Sequence, residues 1–143
     1  MEEGIVGDDT DGHIDDTVRF VNEDTVIAVI EENKEDENYE LLQRNLQLIK
    51  QMRLLSGKQL NIVELPMPDE LIYEDQRLPC SYANFYITNL SVIVPIFRCD
   101  KDEKALSTIQ SCFPDKEVVG IDSTELIWGL GSFHCLSQQE PFV

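Results

Sequence analysis

Apolar residues along this chain keep two rhythms in turn, and the alternation repeats. In "VRFVNEDTVIAVIEE" two runs rich in Val, Ile and Phe flank the polar "NED", the pattern of a β-hairpin. "ENYELLQRNLQLIKQMRLLSG" follows, with Leu42, Leu46, Ile49 and Met52 at helical spacing and Gly57 as the expected stop. "QLNIVELPMP" then predicts a short apolar strand closed by Pro66 and Pro68.

The same order recurs. "ANFYITNLSVIVPIF" is two β-runs around a turn at Thr88 to Leu90, and Val21, Thr25 and Val26-Ile27 overlay Ile87, Ser91 and Val92-Ile93. Asp100 and Glu103 are placed to cap a helix whose apolar positions are Ala105, Leu106, Ile109 and Phe113, and Pro114 ends it. "EVVGID" predicts the closing strand, and "ELIWGLGSFHCLSQQEP" the start of a third hairpin. Between the repeats, "DELIYEDQRLPCSY" is acidic with little periodicity, and a surface excursion lipping a cleft is expected there.

The pattern therefore predicts an α/β protein of repeated strand-strand-helix-strand units. One unit covers about 12–68, a second about 80–122, and a further unit begins at about 125–143, within a single partial domain. One such unit cannot bury both faces of its sheet, so units must stack on or close against each other. Two units and a start are too few to close a ring, which points to a piece of something larger.

Composition narrows the partners. The chain has 143 residues, with 28 acidic against 11 basic and a formal net charge of -17. That field repels nucleic acid and anionic lipid and favours a cationic ligand. No apolar run approaches the roughly 20 residues that span a bilayer, and no signal peptide precedes the first motif. Cys80, Cys99, Cys112 and Cys135 form no C-x-x-C pair, so reduced thiols and a cytoplasmic location are expected.

Two histidines exist, His13 and His134. His134 adjoins Cys135 in "GSFHC", but in an extended strand the two would face apart, leaving His13 as the base for a reactive cysteine. His13 and Asp15 are two residues apart, so an extended backbone puts an imidazole and a carboxylate on one face. Gly12, Gly129 and Gly131 allow close backbone approach. A metal site of His13, Asp15 and Asp16 lacks a second convergent histidine, so no metal is expected. A buried structural cysteine and a solvated acidic turn are the plain alternatives for Cys135 and His13.

"DTDGHIDDTVRF", "LNIVELPMP", "RLPCSYANFYI" and "VVGIDSTELIWGLGSFHCLSQQEP" together resemble the C-terminal part of the agmatine deiminase family, which includes the bacterial-type peptidylarginine deiminases. The resemblance covers essentially the whole chain in motif order. It implies part of a pseudo-five-fold α/β-propeller that hydrolyses a guanidinium to a ureido group with release of ammonia, needing no cofactor. By that resemblance Cys135 is the nucleophile, His13 the general acid/base and Asp15 the carboxylate that grips the guanidinium, with Asp11 and Gly131 also at the substrate. The family's Arg-Asp-x-Gly-Pro motif, a further substrate carboxylate, does not occur here. Cys80 stands where a small residue such as alanine is usual. The implied substrate is agmatine; a peptidylarginine or arginine deiminase is the alternative. A module that acts only by association, with a second copy or with a separate N-terminal half, is the non-enzymatic alternative.

Overall fold

The computed structural model describes residues 4–9 and 12–140. A 3-10 turn, Ile14–Asp16, leads into β1 (Val18–Phe20), β2 (Thr25–Ile30), α1 (Asn38–Gln51) and β3 (Asn61–Pro66). A small hairpin follows, β4 (Ile72–Tyr73) and β5 (Gln76–Arg77). The order then recurs as β6 (Tyr86–Ile87), β7 (Ser91–Ile96), α2 (Asp102–Cys112) and β8 (Glu117–Asp122). Each repeat is a three-stranded sheet in sequence order, β1-β2-β3 and β6-β7-β8. In each, the first pair is antiparallel and the second parallel, because the helix carries the chain back over the sheet. Thr25 pairs with Asn61 at the start of one parallel ladder and Ser91 with Glu117 at the start of the other.

The central strands are apolar on both faces. Ile27 and Val29 join the larger core, with Leu42, Leu65, Tyr82, Phe85, Val92, Val94 and Ile109. Val26 and Ala28 point the other way, onto Leu46, Ile49 and Leu60. Helix α2 packs against both β3 and β8, so it joins the two repeats. Fully burying each such Leu, Ile or Phe contributes about 1.5–3 kcal/mol.

Several local expectations need correction. Helix α1 ends at Gln51, with Met52 already extended and half exposed, and Gly57 instead closes the next turn at φ +81°. Asp100 and Glu103 do not cap α2. Asp102, its first residue, accepts the Phe97 and Cys99 backbone N–H groups at 3.1 and 3.2 Å and the Tyr82 hydroxyl at 2.6 Å. The acidic connection carries β4 and β5, whose turn holds Glu74 and Asp75 at φ 49° and 64°, the left-handed geometry of a two-residue hairpin loop. No third hairpin forms among the described residues: "LIWG" is a 3-10 helix, Leu126–Gly129, and Leu130 is left-handed at φ 61°. A left-handed residue cannot continue a strand, so "SFHC" coils into turns. Tyr73 of β4 stacks on Trp128, ring centroids 4.2 Å apart and planes 16° from parallel.

Candidate active site

Three separate segments meet beside the sheets. The first is the 3-10 turn at Ile14–Asp16, for which extended His13 is the N-cap, its backbone N–H held by Asp8 Oδ2 at 2.8 Å. The turn starts from Gly12 at φ +100°, a conformation costly for any other residue. His13 and Asp15 therefore do not share the face of a strand; the turn, not strand alternation, brings their side chains together. The second segment is 81–85, just before β6. The third is the coil at 131–135.

These segments bring together most of the residues the sequence singled out. One ligand atom each from His13, Asp15, Asp16 and Cys135 lie within 4.8 Å of one another. Such a set could hold a metal ion. Three of its members, however, already receive hydrogen bonds from a single amide, Asn84 Nδ2: Asp16 Oδ1 at 2.8 Å, Cys135 Sγ at 3.0 Å and Asp15 Oδ2 at 3.2 Å. The cluster is organised around N–H donors, which is also what a guanidinium offers. Asp11 lies outside the described residues. Gly131 sits directly against the cysteine: a Cβ there would lie 2.8 Å from Cys135 Cβ and 3.3 Å from Sγ. Gly129 has no neighbour within 4 Å of such a Cβ, so close packing does not require it.

His134 overturns its expectation. Because the chain coils here, the ring does not face away from the site, and its Nδ1 lies 2.6 Å from Asp15 Oδ2, while Cys135 Sγ lies 3.5 Å from the same oxygen. Asn84 and Arg19 are the other site residues that sequence reasoning passed over, and Asp16 was weighed there only as a metal ligand. Arg19 Nη1 donates to the carbonyls of Ala83 and Phe85, both at 2.9 Å, and the guanidinium lies 4.6 Å over the Phe85 ring. Ser81 Oγ donates to the Asp16 carbonyl at 2.7 Å, tying the second segment to the first.

The electrostatics are uneven. Burial is the largest influence on Asp16, and with the charge of Asp15 it raises the carboxyl to about 7. Burial also pushes Asp15 upward, but hydrogen bonds to His134 and Cys135 and the charge of His134 outweigh it, leaving Asp15 below its ordinary value. Cys135 is exposed as a residue, yet desolvation around its sulfur is the leading effect and raises the thiol. Asn84 opposes the rise, and Asp15 and Asp16 add to it. Burial likewise pushes the Cys80 thiol up to about 12, so it is an inert core group.

The family model described as Porphyromonas-type peptidyl-arginine deiminase matches residues 1–141. The chain belongs to that family. Among relatives of this deiminase family, a Legionella pneumophila (strain Paris) protein named "Putative agmatine deiminase" is 33% identical over 139 residues, spanning 96% of this chain and 40% of the relative. A solved Porphyromonas gingivalis structure described as "Putative Arginine Deiminase" superposes at TM-score 0.94 with 43% identity, over 98% of this chain and 41% of that one. The agmatine deiminase of Enterococcus faecalis gives TM-score 0.89 and 32% identity, over 97% and 43%. The chain thus shares the mixed α/β fold of solved agmatine deiminases and spans about two-fifths of the length of these deiminases. No helix among its described residues is long and apolar enough to cross a membrane.

Proposed function

We propose that this chain carries the cysteine, histidine and carboxylate part of an agmatine deiminase site, set in a segment of an α/β-propeller. The convergence of His13, Asp15, Asp16 and Cys135 within 4.8 Å carries the reading. A guanidinium carbon is a weak electrophile because its charge is spread over three nitrogens. Carboxylates that bind two of those nitrogens fix the carbon against the sulfur. Asp15 takes that role. A bound cation also offsets the carboxylate charges that hold Cys135 protonated, so substrate itself favours the thiolate.

Cys135 Sγ then adds to the guanidinium carbon. His13 protonates the departing ammonia, leaving an amidino-thioether on the sulfur. His13 next takes a proton from water, which adds to the carbon; the C–S bond breaks and a ureido product leaves. Agmatine and water give N-carbamoylputrescine and ammonia. No metal or organic cofactor enters this scheme. The free thiols suit a reducing, cytoplasmic setting.

The test is labelling of Cys135 by chloroacetamidine, a planar cation, against neutral chloroacetamide, with the modified cysteine located by peptide mass spectrometry. We expect at least tenfold preference for the cation, lost in Asp15→Asn. Equal labelling by both reagents would sink the reading. Because no Arg-Asp-x-Gly-Pro sequence is present, the 143-residue chain by itself is expected to turn over agmatine little. Brisk ammonia release abolished by Cys135→Ala would overturn that expectation and show a complete site. The family description and the Porphyromonas gingivalis relative favour a second reading, an arginyl substrate. Comparing agmatine with an arginyl peptide on the complete enzyme separates the two.

A further inference from the structure

We propose that His13, Asp15, Asp16 and Cys135 also form a zinc site, in which a Zn2+ ion takes the substrate's place and reversibly silences the cysteine. The metal binding stands on geometry; that it stops a reaction rests on Cys135 being the nucleophile. One ligand atom from each of the four lies within 4.8 Å of the others. The sequence around His13 lacks a second histidine, and the fold supplies a sulfur in its stead. An imidazole, a thiolate and carboxylates are donors that zinc takes, at bonds of roughly 2.0–2.3 Å in a tetrahedron. Such bonds set ligand atoms about 3.3–3.8 Å apart, so the group must close by about 1 Å. His13 and Cys135, its two exposed members, can supply that movement, while buried Asp16 stays fixed.

The surroundings favour this ion over the commoner ones. Both carboxylates are held from outside: Asn84 Nδ2 donates to Asp15 and Asp16, and His134 Nδ1 lies 2.6 Å from Asp15 Oδ2. Partners of that kind orient carboxylates that bind a metal. Mg2+ and Ca2+ want a shell of oxygens, and a sulfur and an imidazole nitrogen suit neither. Arg19 opposes a metal by its charge, but its Nη1 is committed to the Ala83 and Phe85 carbonyls. The net charge of -17 draws dications toward the molecule. On binding, the Cys135 S–H bond breaks, its proton leaves to solvent, and the sulfur's electron pair bonds to Zn2+. Neither oxidant nor reductant is required. The ion then holds the nucleophile, the acid/base and the substrate carboxylate together, so metal and guanidinium exclude each other. A chelator returns the free thiol.

The experiment uses the 143-residue chain, with Co2+ as a coloured stand-in for Zn2+. Stoichiometric Co2+ should give a near-ultraviolet thiolate-to-cobalt charge-transfer band and the strong visible bands of four-coordinate cobalt, and Zn2+ should bleach both. Cys135→Ser should abolish the charge-transfer band although Cys80, Cys99 and Cys112 remain. His13→Gln and Asp16→Asn should each weaken Zn2+ binding roughly tenfold or more. Zn2+ should also slow Cys135 alkylation by neutral iodoacetamide about tenfold or more, Mg2+ should not, and EDTA should restore it. Absence of the charge-transfer band in the wild type, its survival in Cys135→Ser, or equal protection by Mg2+ overturns the proposal. Should the serine variant fail to fold, His13→Gln decides: undiminished Zn2+ affinity overturns it. No guanidinium enters these measurements, so failure of the deiminase reading shows separately, in the cation preference of chloroacetamidine.

Discussion

His134 Nδ1 lies 2.6 Å from Asp15 Oδ2, joining the residue before the cysteine to a turn 119 positions earlier. This contact helps hold the Asp15 carboxyl below its ordinary value. A depressed carboxyl adds stability that is present above its unfolded value, roughly 3.9, and is lost as pH falls through the folded one. His134→Ala should raise the Asp15 titration seen by carboxyl NMR. It should also cost about 1 kcal/mol near neutral pH, after solvent screening of a half-buried pair. The difference in melting temperature should shrink toward zero below about pH 4. An unmoved Asp15 titration would refute the pairing.

Asp16 behaves in the opposite sense. Burial and the neighbouring Asp15 raise its folded value to about 7. Between the unfolded carboxylate value and 7 the folded state binds more protons, so this group's contribution to stability falls as pH rises across that window. Asp16→Asn removes the slope. Its unfolding free energy should exceed that of the wild type at pH 8, by an amount on the order of a few kcal/mol, and the two should converge as pH falls toward the unfolded carboxylate value. Parallel curves over that range would count against a buried, late-titrating carboxyl.

Gly131→Ala and Gly129→Ala form a matched pair on one coil. The first places a methyl 2.8 Å from Cys135 Cβ and must displace the cysteine; the second meets nothing within 4 Å. Gly131→Ala should slow Cys135 alkylation at least tenfold and cost about 1–3 kcal/mol. Gly129→Ala should stay within about 0.5 kcal/mol and leave alkylation intact. Similar behaviour of the two would show that Gly131 is not placed for contact with the sulfur.

Phe85 is fully buried, meets Phe113 edge-on at 5.9 Å and lies under the Arg19 guanidinium. Phe85→Ala should cost about 3–5 kcal/mol in chemical denaturation. It should also loosen Asn84 next to it, lowering the selectivity of labelling at Cys135. Stability within 1 kcal/mol of wild type would contradict the packing described.

The repeat was legible because its strands and helices announce themselves by periodicity: Ile27 and Val29 in one sheet, Val92 and Val94 in the other, Ala105 and Ile109 on a helix. His13, Asp15 and Cys135 were legible as residue types that suit one chemistry. The geometry that unites them was not. It depends on turns, at Ile14–Asp16 and at 131–135, and turns carry no period to read. The expectation for His134 failed for that reason, since strand alternation was assumed where Leu130 is left-handed. Asn84 left one trace in the sequence, a lone amide between Tyr82, Ala83 and Phe85, all of which are fully buried. A polar side chain kept in such company needs hydrogen-bond partners, and here the partners are the site.

The stack of Tyr73 on Trp128 has a practical side. Trp128 is the sequence's single tryptophan, and it lies in the 3-10 helix that leads to Gly131 and Cys135. Its emission therefore reports on one seam, where the small hairpin meets the coil that delivers the cysteine. A ligand or substitution that shifts this coil will change the spectrum without any attached dye. The molecule contains its own optical gauge, set on the segment that leads to the sulfur.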